Sequence, residues 1–122
     1  MAFEIAKIGT NLRTTDATAT IFGAYDIPDN NTAGMNLFIF GRDASGTSSF
    51  WFVQAAAKRT TGAASLVGTP QSTKLADAGA STWTAAVSVA GPAFVVTVTG
   101  AAGVTIDWGL WGFDIYCGQV NN

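Results

Sequence analysis

The stretch SFWFVQAAAKRTTGAASLVGTP, residues 49–70, alternates bulky and small side chains, crosses a polar turn and then alternates again. Alternation with a period of two residues predicts β-strands, because successive side chains of a strand point to opposite faces of the sheet. The TTG turn predicts that the two strands pair as a hairpin. The predicted faces of the first strand are Phe50, Phe52 and Gln54 on one side, and Trp51, Val53 and Ala55 on the other. Large side chains on both sides of this strand indicate that one face fills a core and the other packs on a neighbouring subunit.

The same pattern recurs along the chain between Gly, Asp, Asn and Pro breakers. The best helical candidate, residues 54–59, is too short to form a stable helix. The predicted strands are residues 17–25, 35–42, 48–60, 63–69, 71–75, 81–91, 93–100 and 104–118. About eight short strands with regular turn signals are typical of an antiparallel sandwich or barrel. We predict one all-β, antiparallel, jelly-roll-like β-sandwich domain over residues 16–122.

Residues 1–15 allow two interpretations. Their apolar positions, Phe3, Ile5, Ile8 and Leu12, fit either an extended N-terminal arm that reaches a neighbouring subunit or an edge strand of the same sandwich. These four residues, together with Trp51 and Trp111, are the candidate interface. In the last predicted strand the alternation changes phase beside Gly109, which predicts either a β-bulge or a strand buried on both faces.

The composition excludes several classes of function. Charged residues make up 11% of the chain and hydrophobic residues 48%, whereas soluble domains average about 25% charged residues. Such a surface favours a protein that is covered by other chains. The net charge of −2 with scattered Lys and Arg argues against a nucleic-acid partner. The N-terminus has no secretory pattern, and no apolar run reaches the roughly 18 residues of a membrane span, so no membrane partner is expected.

Few residues could carry catalytic chemistry. The chain has no histidine and one cysteine, so the common nucleophile–base triads and multi-cysteine zinc sites cannot form. We expect Cys117 to be a small buried hydrophobe. Asp107 and Asp114 are an odd number of residues apart, so without a bulge they face opposite sides of a strand and are expected to be solvated or to face an interface.

Two ligand sites are weaker alternatives. Residues 26–31, DIPDNN, offer oxygen ligands for calcium but lack the spacing and the glycine of an EF-hand loop. The four tryptophans could stack on sugars, but they all fall within alternating strands, where core or subunit contacts are the more frequent role. We therefore predict no enzyme activity, catalytic residue, cofactor or metal.

Two longer segments resemble a known family. They are FGRDASGTSSFWFVQAAAKRTTGAASLVGT, residues 40–69, and WTAAVSVAGPAFVVTVTGAAGVTIDW, residues 83–108. Their motifs are a turn around Arg42 and Gly46, an aromatic strand that runs to Lys58 or Arg59, LVGT at 66–69, a strand opened by Trp83, and VTGAAGVTIDW at 98–108. Together they resemble a β-domain of tailed-bacteriophage virion proteins over residues 16–117. The last segment, GLWGFDIYCG, departs from the more charged last strand of that family.

The resemblance implies a structural role in a phage particle. The chain contains no collagen-like or coiled-coil segment, so it is most similar to capsid decoration (cement) proteins, which usually sit as trimers over capsomer junctions. The implied partners are the major capsid protein and further copies of the chain in a homotrimer. The implied location is the capsid surface of the virion, after synthesis in the host cytoplasm. The alternatives are a tail-tip or fibre module that binds a host glycan or receptor, and, least favoured, a small glycan-modifying enzyme that uses Asp107 or Asp114.

Overall fold

A computed structural model describes residues 3–118, and their side chains from residue 6 onward. The strands in this range are β1 (Phe3–Thr14), β2 (Thr20–Asp26), β3 (Asn31–Asp43), β4 (Ser48–Arg59), β5 (Ser65–Leu66), β6 (Gln71–Ala76), β7 (Thr84–Ala90), β8 (Ala93–Thr99) and β9 (Ile106–Gly118). One 3₁₀ turn, Ala78–Ala80, precedes β7. No helix in the described range is long and apolar enough to cross a membrane. The predicted all-β class is confirmed.

The strands form two antiparallel sheets. The larger sheet has the order β1-β9-β3-β4, and both β5 and β6 pair with the far side of β4. The smaller sheet has the order β2-β8-β7. The antiparallel sandwich is therefore confirmed. The jelly-roll topology is not, because the sheets contain six and three strands instead of the matched pair of sheets that an eight-stranded jelly roll forms.

The core lies between the two sheets and is built from every second residue of the long strands. The completely buried aliphatic residues of β3 and β8 include Leu37, Ile39, Val96 and Val98. Three of the four tryptophans, Trp51, Trp83 and Trp108, are also buried there. The ring centroid of Trp108 lies 5.6 Å from that of Trp51 and 6.0 Å from that of Trp83. Aromatic rings at these separations attract one another in addition to the surface they bury.

β1 is an edge strand of the large sheet and not a projecting arm. It pairs with β9 in an unbroken register from Phe3↔Cys117 to Thr14↔Ile106. The side chain of Ile8 is buried and that of Leu12 packs against the core. Both residues are therefore core-facing, and their assignment to an interface is wrong. The side chains of Phe3 and Ile5 lie outside the described part of the structure.

β9 lies at the centre of the large sheet, between β1 and β3. Neither ladder contains a register shift along β9, so the predicted bulge near Gly109 is wrong. The alternative, a strand buried on both faces, is wrong as well, because Trp111 is 51% exposed. β9 instead carries apolar residues on both faces. Trp108 and Leu110 face the core, whereas Trp111 lies on the other face and is half exposed. A side chain at Gly112 would overlap the backbone of β3, which explains why this inner position holds glycine.

Lys74 of β6 holds the connection to β7 against the large sheet. Its ammonium group donates hydrogen bonds to the carbonyl oxygens of Ala80, Ser81 and Trp83 at 3.1, 3.0 and 2.5 Å. It also lies 5.3 Å from the centre of the Trp51 ring, within the range of a cation–π interaction. Burial lowers the pKa of Lys74, because desolvation disfavours the charged form. A cation here satisfies three carbonyl groups that no strand ladder uses.

Replacement of Lys74 by methionine is expected to lower the free energy of unfolding by about 2 kcal/mol, because the three carbonyl groups lose a charged donor while the aliphatic stem remains. Urea denaturation measures the effect. Lys58→Met, measured at a protein concentration low enough that the chain is monomeric, is the matched control: Lys58 is exposed on the outer face of β4, so its replacement should change stability by less than about 0.5 kcal/mol. Equal effects of the two substitutions would contradict the role of Lys74.

Candidate protein-binding face

Six aromatic side chains lie together on the outer face of the large sheet. They occur at the positions of β3, β4 and β9 that alternate with the core residues, so the pleat of the sheet turns all of them away from the core. We call this group the aromatic face; it consists of Phe38, Phe40, Phe50, Phe52, Trp111 and Phe113.

The strand register places these rings in contact across the sheet. Phe38 pairs with Trp111 on one side and with Phe52 on the other. The rings of Phe38 and Phe52 are nearly parallel, with centroids 5.1 Å apart, and the Phe38 and Trp111 centroids are 5.6 Å apart. Phe40 and Phe50 form the next row, at 4.8 Å. Cross-strand aromatic pairs of this kind stabilise a sheet, each by roughly 0.2–1 kcal/mol.

The aromatic face is open to solvent within the described part of the chain. Phe40 is 53% exposed and Trp111 is 51% exposed, and Leu75 of β6, which lies opposite Phe50, is 65% exposed. The four strands β9, β3, β4 and β6 are together about 19 Å wide at about 4.8 Å per strand. Three rows of outward residues are about 20 Å long, because each row takes two residues of about 3.3 Å, so the face covers roughly 400 Å². A patch of this size is comparable to the largest apolar patch of a typical monomer, which is often a binding site.

Charged residues differ between the two ends of this sheet face. One end carries Arg42, the Arg13–Asp107 ion pair at 2.7 Å, and Asp77, whose carboxylate accepts a hydrogen bond from the backbone N–H of Ser48 at 3.0 Å. Asp43 follows Arg42 there and accepts hydrogen bonds in its own turn, chiefly from the Ser45 hydroxyl, which lowers its pKa. Asp43 pairs with the buried Ile106, so it lies on the core side of β3, and the outer face carries two carboxylates and two guanidinium groups at this end. We call it the neutral end.

The opposite end is positive. Lys58 is exposed there and has no ion-pair partner among the side chains described from residue 6 to residue 118. Lys7 lies opposite Phe113 in the same half of the face. Arg59, beside Lys58, is neutralised by Asp29 at 2.9 Å. We call this the basic end. The outer face of the large sheet is therefore apolar in the middle, neutral at one end and basic at the other.

The candidate interface residues predicted from sequence are only partly on this face. Trp111 is at its centre, whereas Trp51 is 2% exposed and lies in the core, so its assignment to an interface is wrong. Phe38, Phe40 and Phe113 were missed. Their signal was present in the alternation of residues 35–42 and 111–117, but apolar residues on both sides of a strand do not indicate which side meets the opposite sheet.

The two carboxylates of β9 do not form a catalytic pair. As predicted for an unbulged strand, they face opposite sides: Asp107 binds Arg13 on the outer face, and Asp114 points into the core. Asp114 is 1% exposed, so the prediction that it is solvated or faces an interface is wrong. Its Oδ2 accepts a hydrogen bond from the Tyr116 hydroxyl at 3.0 Å, while its Oδ1 has no partner among the described residues. Burial raises the pKa of Asp114 to about 6, because desolvation disfavours the carboxylate.

The remaining predicted sites have no binding geometry. Cys117 is exposed, so the prediction of a buried hydrophobe is wrong; it lies on the outer side of β9 near the end of the strand. In the candidate calcium loop, the Asp29 carboxylate is occupied by Arg59 and Ile27 is completely buried. Within residues 3–118, no cluster of three or more His, Cys, Asp or Glu side chains could hold a metal ion.

Comparison of the chain with protein-family models, with curated proteins and with solved structures finds no match. The aromatic face is therefore interpreted from its own geometry. A ring-covered surface with few polar groups at its centre is suited to the dry core of a protein–protein contact, where aromatic residues are enriched and charged residues are depleted.

Proposed function

We propose that this chain is a non-enzymatic structural protein of a tailed-phage virion, most simply a capsid decoration protein that binds the major capsid protein on the mature head. The observation that carries the proposal is the aromatic face, where Phe40 and Trp111 are half exposed on a rigid sheet. Each Å² of apolar surface removed from water contributes roughly 25 cal/mol, so contact with other protein chains is strongly favoured. The resemblance of residues 40–69 and 83–108 to phage virion domains supplies the biological setting.

The stabilising effect of such a protein follows from mass action. A protein that binds only the expanded shell lowers the free energy of that state by RT ln(1 + [L]/Kd) for each site. At a free concentration one hundred times the Kd this amounts to about 2.7 kcal/mol per site. Summed over many equivalent sites, this effect would hold a shell against internal pressure without any chemistry.

A tail-tip or fibre module that binds a host glycan is the second candidate. The exposure of Trp111 favours it, because an indole ring can stack on a sugar face. Sugar recognition also needs hydrogen-bonding groups beside the ring. The nearest amides of the face, those of Asn36 and Gln54, are hydrogen-bonded to each other at 3.1 Å, which makes a dry protein contact the better match.

The copy number of the protein in purified virions is expected to be close to that of the major capsid protein, because a decoration protein covers the whole head. Quantitative mass spectrometry of the phage that encodes this chain measures the ratio. A few copies per particle would move the protein to the tail and favour the glycan-binding candidate. Complete absence from the particle would contradict both assignments.

A further inference from the structure

We propose that the aromatic face binds the same face of a second copy of this chain, in a two-fold dimer whose axis runs across the strands. A two-fold contact uses one surface on both partners, so a single self-complementary face is sufficient. The inference concerns the free protein. The dimer covers the aromatic face, so it must dissociate before that face binds the major capsid protein in the proposed function.

The area of the outer face of the large sheet, which includes the aromatic face, fits such a dimer. Five neighbouring strands of the large sheet (β1, β9, β3, β4 and β6) span about 24 Å, and twelve residues of β1 or β4 span about 40 Å. The outer face therefore offers roughly 900 Å², above the roughly 800 Å² that each partner buries in a stable interface. Two sheets packed face to face in the aligned manner bring their side chains into one layer about 10 Å thick.

The charges of the face fix the direction of the axis. A two-fold axis across the strands reverses the strand direction of the second copy, so the basic end of each copy lies over the neutral end of the other, where Asp77 lies. β4 of one copy then lies over β4 of the other, and Lys58 of each copy approaches the end of the other copy where Asp77 lies. An axis along the strands would instead place the basic end of one copy on the basic end of the other, which like charges disfavour.

A three-fold ring needs a second apolar surface on the same chain, because each subunit contributes two different patches to a heterologous contact. The outer face of the small sheet does not offer one of similar size. Its exposed positions on β7 are Thr84, Ala86, Ser88 and Ala90, and its large exposed apolar side chain is Ile21, at 64%. The face-to-face dimer is thus favoured over the trimer that the phage resemblance implies.

The test is the mass of the purified full-length chain in solution. One chain has a mass of 12.5 kDa, and sedimentation velocity at micromolar concentration is expected to show a species of twice this mass. The double variant Phe40→Glu/Trp111→Glu is expected to be a monomer, with dimer affinity reduced at least hundredfold, because buried aromatic anchors dominate such interfaces. Ile21→Glu is the control: it places a glutamate at an exposed apolar position on the other sheet, and should leave the dimer intact.

Two further measurements remain informative if the double variant does not fold. Lys58→Glu, at an exposed strand end, is expected to weaken the dimer about tenfold, and more at low salt than at high salt. In the wild-type protein, Trp111 is the exposed tryptophan of the monomer, so acrylamide quenching of fluorescence should increase when dilution separates the dimer. A wild-type monomer at high concentration, a trimer, or a dimer that persists in the folded double variant would overturn the proposal. Absence from virions would overturn the proposed function but not the dimer.

Discussion

Replacement of Trp108 by alanine is expected to lower the free energy of unfolding by about 4–5 kcal/mol, within the upper range for large-to-small core substitutions. A typical domain has only about 5–15 kcal/mol in total, so the variant should be mostly unfolded or close to it at 37 °C.

The size of the effect follows from the position of Trp108 at the junction of several elements. Its side chain is 1% exposed, and its ring contacts Trp51 of β4 and Trp83 before β7. Its indole N–H donates a hydrogen bond to the Thr14 hydroxyl of β1 at 2.9 Å. Alanine would leave a cavity between the two sheets and an unpaired buried hydroxyl.

Thermal and urea denaturation of the variant measure the loss. At a protein concentration low enough that the chain is monomeric, Trp111→Ala is a strict control, because it removes the same side chain from the same strand three residues further on, where the ring is half exposed. We expect it to cost about 1 kcal/mol or less, since it removes ring contacts on the surface and leaves the core intact. Similar losses of stability in the two variants would show that Trp108 does not lie on the core-facing side of β9.

Replacement of Asp114 by asparagine is expected to stabilise the protein by on the order of 2 kcal/mol at pH 7.5 and to have little effect at pH 4. A buried carboxylate with one unpaired oxygen is costly in its charged form, and burial raises the pKa of Asp114 to about 6. A shift of one pKa unit corresponds to about 1.4 kcal/mol. The amide has nearly the same shape and carries no charge.

The sign of the pH dependence follows from proton linkage. An aspartate in an unfolded chain has a pKa of about 3.9, so between pH 4 and pH 6 the folded protein binds more protons at Asp114 than the unfolded protein does. Stability from this group is therefore greatest below about pH 4 and is lost as the pH rises through about 6. The difference between wild type and Asp114→Asn isolates this contribution from that of the other carboxylates.

Urea denaturation of both proteins at pH 4, 6 and 7.5 is the measurement. Asp107→Asn is the control on the same strand. Asp107 is exposed, and hydrogen bonding to Arg13 lowers its pKa. At pH values above 4 its replacement should therefore lower the free energy of unfolding slightly, which is the opposite of the effect of Asp114→Asn. If the difference in unfolding free energy between the wild type and Asp114→Asn is constant over the pH range, the buried carboxyl group is not the source of the pH dependence.

Local alternation accounts for most of what the sequence predicted correctly. Each predicted strand from residue 17 onward overlaps an observed strand, and the two runs of residues 49–70 pair as expected through Ala57↔Leu66 and Lys58↔Ser65. The period of two also assigned Phe50 and Phe52 to the face opposite Trp51. These features depend on neighbours in the chain, so they can be read without knowing the fold.

The candidate site could be predicted only in part. Trp111 was identified as an interface residue, and Phe50 and Phe52 were expected on a common face. The sequence did not indicate which face of β4 meets the core, since Phe50 and Trp51 are both large and aromatic. The phase change in β9 had the same ambiguity: a bulge and a strand with two apolar faces produce the same sequence pattern around Gly109.

By itself, the sequence determined the strand pattern and the all-β class, because a pleated strand imposes its period on adjacent residues. It also determined that a large apolar surface must be covered, because the chain is rich in apolar residues and poor in charged ones. Only the tertiary structure decided that β9 lies between β1 and β3, that Trp51 and Trp108 are core, and that Phe38 and Trp111 face outward. Pairing between strands far apart in the chain leaves no local signal, and the position of the small sheet decides which face becomes the core.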